Sequence, residues 1–439
     1  MTTPIATFAL RVNLGPLSNI GCLRVNAYLT AARDVADDCI MGNASTGGED
    51  AVRLSCVFSM AWDLLFLSQR VKGFNPMKRR GFLQYGLGTL AASAAVASPA
   101  IAQQAPAVRW RMTSSFTKTL DITYGAAEQF CKYVSDLTEG RFQIQQFAAG
   151  EIVPGLQALD AVQNDTVEMA YTGALFYAGK DPTFALGASV PFMMNPRQQH
   201  AWFYHAGGNE LFNDFLAKYN VVGFPCGNTG MQWGGWFRKE IKSAADLQGI
   251  KMRIAGLAGR VAVGAGIVPQ QTAPGDIYPA LERGAIDAVE YIGPYDDEKL
   301  GFAKITKFYY TPGWQEGGTV FHAMINKGKW AELSKVYQRA IEIAAQATTT
   351  YMLAQYDAKN PEALRRIIAD GVKVSVFPTD VIEKMYASAE ELYKSLIATN
   401  ESFAKIYTSQ KEFRDRSYFY HQAADFQFDV MMLQLRRKS

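Results

Sequence analysis

Two stretches of the chain decide its fold: Ala161-Val162-Gln163-Asn164-Asp165-Thr166-Val167-Glu168-Met169-Ala170-Tyr171-Thr172 and Ala280-Leu281-Glu282-Arg283-Gly284-Ala285-Ile286-Asp287-Ala288-Val289-Glu290-Tyr291. They align without a gap. Each reads as a short helix that drops through a polar turn into a strand ending in or next to a tyrosine. Two such units imply two similar α/β lobes. Ligands of open α/β sheets bind beyond the carboxyl ends of the strands, so a cleft between the lobes would receive the residues at both strand ends.

The surrounding sequence extends this pattern. Val108–Thr113, Phe142–Phe147 and Val167–Thr172 read as strands, separated by a helix carrying Ile122, Ala126, Phe130, Val134 and Leu137 and closed by Gly140, and by a short helix over Leu156–Val162. Further strands are predicted over Val221–Cys226, Ile250–Ala255, Val268–Thr272, Ile286–Ile292 and Val320–Asn326. Alternation of strand and helix indicates parallel sheets. After Lys327 the chain turns helical, from Trp330 to Tyr356 and from Thr379 to Ser395.

Composition narrows the function. With 439 residues, 49% of them hydrophobic, 19% charged and a net charge of +3, this is a packed protein with no basic stripe for nucleic acid. Five cysteines, three of them Cys22, Cys39 and Cys56 near the start, form neither a disulfide framework nor a CxxC pair, and four histidines show no zinc spacing. Met77-Lys78-Arg79-Arg80-Gly81-Phe82-Leu83, an apolar run to Ala97 and Ser98-Pro99-Ala100-Ile101-Ala102 follow the order of a signal peptide, with the paired arginines of twin-arginine export. Cleavage is expected after Ala102. Residues 1–76 would bury that signal inside the chain, so they are expected to be upstream sequence, with translation starting at Met77.

Four segments carry a family resemblance: Asp181-Pro182 through Val190-Pro191-Phe192; Asn228-Thr229-Gly230-Met231-Gln232-Trp233; Leu247-Gln248-Gly249-Ile250-Lys251-Met252-Arg253; and Gly275-Asp276-Ile277-Tyr278-Pro279-Ala280 onward to Asp297. From about Val108 to about Leu396 the chain resembles the substrate-binding proteins of tripartite ATP-independent periplasmic (TRAP) transporters, in particular the subgroup that binds 2-oxo acids and small monocarboxylates. The resemblance implies an α/β, two-lobed, periplasmic-binding-protein-like fold with a ligand cleft between the lobes, plus C-terminal helices. Lobe I would comprise 103–230 and 319–358, lobe II 231–318 and 359–396, and a helical segment 397–439 would follow.

The same resemblance implies a site. Arg253 would grip the ligand carboxylate, a task suited to a planar guanidinium that offers two parallel hydrogen bonds. Gln232, Glu290, the main-chain carbonyl of Tyr291 and Glu316 would hold a metal ion bridging protein and ligand. The subgroup often has tryptophan where Tyr291 stands. All four donors are oxygens, which suit sodium or calcium; the resemblance favours sodium, whereas charge balance leans to calcium. Tyr177 would reach the ligand with its hydroxyl, and Trp314 would line the pocket or pack the lobe.

The expected function is a periplasmic receptor that closes on a small carboxylate and delivers it to the membrane subunits of a TRAP transporter. A periplasmic enzyme acting on oxo acids is the alternative, disfavoured by the lack of a nucleophile paired with a base. Phe403, Phe413, Tyr418, Phe419, Tyr420, Phe426 and Phe428 crowd the C-terminal helices. They are compatible with the homodimer, formed by exchange of a terminal helix, that the resemblance implies.

Overall fold

The computed structural model describes residues 106–436. The expected upstream extension and signal peptide lie outside the described residues. Eleven strands occur among those described: β1 (Val108–Ser114), β2 (Phe142–Phe147), β3 (Met169–Gly173), β4 (Val221–Asn228), β5 (Gly235–Phe237), β6 (Lys251–Arg253), β7 (Val268–Gln270), β8 (Ala288–Val289), β9 (Phe308–Thr311), β10 (Val320–Asn326) and β11 (Lys373–Val376). They form two sheets, ordered β2-β1-β3-β10-β4 and β11-β9-β5-β8-β6-β7. Each sheet with its helices makes one lobe.

The repeated unit is realised down to its hydrogen bonds. The helices Ala158–Gln163 and Ile277–Glu282 end in left-handed residues at the same aligned position, Asp165 with φ 57° and Gly284 with φ 71°. In both, the following N–H reaches back to the alanine five residues earlier, Thr166 N to Ala161 O at 2.8 Å and Ala285 N to Ala280 O at 3.0 Å. This is the helix-terminating pattern in which a left-handed residue lets the chain turn back and satisfy orphan carbonyls. Each helix then feeds a strand flanked by a parallel neighbour, β3 beside β1 and β8 beside β6.

The sheets are mixed rather than parallel as expected. β10 runs antiparallel to β3 and β4, and β5 runs antiparallel to β8 and β9. The cause is connectivity. β4 leaves the first sheet and becomes β5 of the second without an intervening helix, and β9 returns to the first as β10. Neither connection is the helical crossover that parallel neighbours need. The two crossing segments, 229–234 and 312–319, run side by side. Gly313 N donates to Gln232 O at 2.9 Å and Thr229 N to Thr319 O at 3.1 Å. A side chain at Gly313 would stand 2.6 Å from the Gln232 carbonyl oxygen, so glycine is required for that approach.

The long helix Lys335–Ala369 does not stop near Tyr356. It continues through Pro361, because Ala363 and Ile367 beyond it are buried, and that burial outweighs the single backbone hydrogen bond a proline removes. Helices Thr379–Thr399, Glu401–His421 and Gln427–Arg436 complete the chain. Among the described residues no helix is long and apolar enough to cross a membrane.

Candidate functional site

The carboxyl ends of β3, β6 and β8 converge with both crossing segments on one narrow cavity. Phe116, Leu175, Phe176 and Phe321 from the first lobe make an apolar wall. Gln232 and Glu316, from the two crossings, and Arg253, Glu290 and Tyr291, from the second lobe, supply the polar side. Five of the seven side chains expected at a site thus share one space.

Arg253 is the last residue of β6, with its side chain only 3% exposed. Its Nη1 donates to the Glu290 carbonyl at 2.5 Å and faces Glu290 Oε2 at 3.4 Å, while Nε reaches Thr272 O at 3.4 Å. Nη2 donates to no described residue and is free for a ligand. The guanidinium carbon lies 5.5 Å from the centre of the Tyr291 ring, a distance at which cation and aromatic face attract.

Two acids face this one cation. Burial raises the Glu290 carboxyl well above its ordinary range, and the negative field of Glu316 adds to the rise against the opposing pull of Arg253. Glu316 is pushed up to about 7, again mainly by burial, with the Thr319 hydroxyl and Arg253 opposing. A 3.4 Å ion pair therefore leaves the cluster short of positive charge. Glu290 Oε1 and Gln232 Oε1 are both buried without a hydrogen-bond partner. Unpartnered buried oxygens at a place where positive charge is lacking fit a hard cation. No group of three or more His, Cys, Asp or Glu side chains is placed to hold a metal ion here or elsewhere among the described residues. The oxygen set would combine two carboxylates with an amide and the Tyr291 peptide carbonyl. That peptide is held from behind, since the Ile292 N–H donates to Asp297 Oδ1 at 3.4 Å. Asp297 is itself fixed by Trp236 Nε1 at 2.9 Å and Tyr309 Oη at 2.6 Å, which gives this motif residue the role that sequence reading did not find.

One expected ligand contact is corrected, and of the two roles expected for Trp314 the packing one is seen. Tyr177 is buried inside lobe I. Its hydroxyl shares a 2.7 Å hydrogen bond with Thr172 Oγ1 and accepts from Leu159 N at 3.2 Å. The 3₁₀ turn Ala174–Tyr177 presents Leu175 and Phe176 to the cleft and rotates the next residue back into the core. Trp314 stacks on Phe192, with ring centres 5.8 Å apart, and packs the lobe instead of lining the cavity. Sequence reading also missed Thr319, Phe116 and Phe321. Their only signal was nearness to Glu316 and to the ends of β1 and β10.

Residues 113–400 match the family model described as bacterial extracellular solute-binding protein, family 7. A monocarboxylate 2-oxoacid-binding periplasmic protein from a Nostoc species is 42% identical over 358 residues, covering 80% of this chain and 98% of that protein. A TRAP transporter solute-binding protein from Bordetella bronchiseptica, a mixed-occupancy dimer with copurified calcium and picolinate in one active site, is 45% identical; the match covers 76% of this chain and all of that one, with a TM-score of 0.75. Another from Pseudoalteromonas atlantica, solved with sodium and pyruvate, is 33% identical over 73% of this chain and 98% of that one, with a TM-score of 0.71. With two lobes around one charged cavity, a family model matched over most of the described residues and relatives aligned nearly end to end, the chain belongs to the bacterial extracellular solute-binding proteins of family 7, which bind and deliver solutes and are not enzymes.

Proposed function

We propose that the protein is a periplasmic receptor that closes around a small 2-oxo or 2-hydroxy monocarboxylate and hands it to the membrane subunits of a TRAP transporter. One observation carries the reading: a single guanidinium, two buried carboxylates and an unpartnered amide oxygen share a cavity with an apolar wall. Arg253 Nη2 holds the ligand carboxylate. A sodium or calcium ion, held by Gln232, Glu290, the Tyr291 carbonyl and Glu316, supplies positive charge between the two glutamates and the bound acid. Sodium leaves the assembled charges at minus one and calcium leaves them neutral, so calcium is the better match by charge alone.

The lobes of this reading run 103–230 with 319–358 and 231–318 with 359–396. The leader 77–102 directs export. The segment 397–439 joins two copies; Phe419, Phe426 and Phe428 are 78%, 59% and 59% exposed on a single copy, an apolar surface suited to a partner. Mass spectrometry of ligand released from protein purified out of the periplasm, with elemental analysis of the same sample, tests the reading. Recovery of a small oxo or hydroxy acid with one sodium or calcium per chain supports it. A different ligand class with no metal refutes it.

A further inference from the structure

An amide side chain has two faces, one that donates and one that accepts, and which of them looks into a cavity decides what the cavity takes. In Gln232 the choice is made by two threonines that stand behind it. Its Nε2 donates to Thr319 Oγ1 at 2.9 Å and to Thr229 Oγ1 at 3.2 Å. Each hydroxyl has its own proton engaged elsewhere, Thr319 on Glu316 Oε2 and Thr229 on the Gly230 carbonyl at 3.0 Å. Neither threonine has a proton left to offer, so neither can accommodate the amide turned end for end. The Thr229 oxygen is also held in register by the Thr319 N–H at 2.9 Å, which ties the two crossing segments together at this point. All three side chains are buried, at 0% exposure for Thr229, 2% for Thr319 and 3% for Gln232, so water does not compete for these bonds. The outcome is visible in the amide itself: Oε1 faces away from the threonines, buried and unpartnered.

We propose that Thr319 and Thr229 are a positioning pair: by consuming both amide hydrogens of Gln232 they aim its oxygen into the cavity, and through Glu316 the same Thr319 hydroxyl orients a second oxygen donor. The face formed by Gln232 and Glu316 then presents acceptors only and is preset for a cation before any acid arrives. This inference rests on the cation reading above, and it assigns work to residues outside the set of oxygens that would hold the ion. Outer partners of this kind change metal affinity by roughly 10–100-fold when removed.

The test uses the full mature chain, stripped with chelator, with calcium as the probe in calorimetry and hydrogen exchange of the Gln232 side-chain amide followed by NMR. Thr319→Val keeps the shape and removes the hydroxyl. It is expected to weaken calcium binding by roughly 10–100-fold and to speed exchange of the amide hydrogens, while thermal stability of the stripped protein stays close to that of the parent. Thr319→Ser, which restores the hydroxyl, is expected to recover both. Parent-like calcium affinity in Thr319→Val overturns the proposal, and so does a Thr319→Ser variant as weak as the valine one, since bulk would then be the cause. If the parent protein binds no cation while Thr319→Val still frees the amide, the orientation stands and the cation reading falls. If amide exchange is the same in parent and valine variant, the orientation falls whatever the metal does.

Discussion

Asp165 and Gly284 occupy the same left-handed corner of two equivalent helix-to-strand turns, at φ 57° and 71°. One lobe meets the conformation with an aspartate, which tolerates it through its short polar side chain, and the other with glycine. A methyl group at Gly284 would meet nothing within 4 Å, so the cost of Gly284→Ala is conformational alone. We expect it to lower stability by about 1–2 kcal/mol, read as a shift in urea midpoint at constant slope. Asp165→Gly should stay within about 0.5 kcal/mol of the parent, its gain in backbone freedom offsetting a weak surface contact with Lys329.

Arg253→Lys should fold and bind poorly. A lysine ammonium has three donors on one nitrogen and cannot reproduce the planar spread by which Nη1 holds the Glu290 carbonyl while Nη2 would meet a ligand carboxylate. The expected loss is about 2–5 kcal/mol in binding free energy, measured by calorimetry with the acid recovered from the native protein. Affinity like that of the parent would remove Arg253 from the anchoring role.

Removal of the cation should abolish tight binding of the acid. Glu290, Glu316 and a ligand carboxylate would then face Arg253 alone in a site from which closure excludes water, where repulsion among close anions costs several kcal/mol. Protein stripped with chelator and held in potassium buffer should bind weakly, and addition of calcium or sodium should restore binding. Undiminished affinity in the stripped sample would exclude a bridging ion.

His322 makes a pH prediction. It is fully buried on β10 among Phe203 and Phe212, and neither ring nitrogen has a partner among the described residues. Burial pushes its imidazole down from 6.5 to about 3. Between those values the unfolded chain binds a proton that the folded chain does not, so stability is lost as pH falls through 6.5, by about 1.4 kcal/mol per unit. Above 6.5 there is no such contribution. Asp296 and Asp297, raised by burial to about 7 and about 6, act in the opposite sense because the folded chain takes up their protons first. The informative quantity is therefore the difference between His322→Leu and the parent. That difference should favour the variant and widen from pH 7 to pH 4.5 in denaturant titrations; a constant difference would mean the imidazole is charged or hydrogen-bonded in the folded state.

Deletion of residues 422–439 should convert a dimer to a monomer in sedimentation without changing ligand affinity per chain, since the segment leaves the cavity untouched. A monomeric parent protein, or a dimer that survives the deletion, would remove the C-terminal helices from the interface.

Much of this fold was readable in advance for a physical reason: β10 is buried along its whole length, β2 begins by alternating buried and exposed residues, and the turn at Asp165 matched the one at Gly284 residue by residue. What escaped was decided by partners distant in sequence. β5, β9 and β11 are too short to show a period, and their direction depends on where the crossings 229–234 and 312–319 lead. Gln232, Glu290 and Glu316, which share one cavity, were grouped in advance only through the family resemblance, since no spacing in the sequence links them. Tyr177 was misassigned because a 3₁₀ turn separates it from Phe176 by a rotation that spacing does not reveal.

The apolar wall has a consequence for how such receptors diversify. Every charge in the cavity comes from the crossings or the second lobe, whereas Phe116, Leu175, Phe176 and Phe321 of the first lobe contribute only shape. In the proposed receptor the headgroup is thus read by one half of the molecule and the tail by the other, so the two could drift independently. Trimming Phe176 to alanine should admit longer or branched acids while leaving their dependence on arginine and cation intact. A competition series of oxo acids of increasing chain length would register the change as a re-ranked order of tails above an unaltered requirement for the carboxylate.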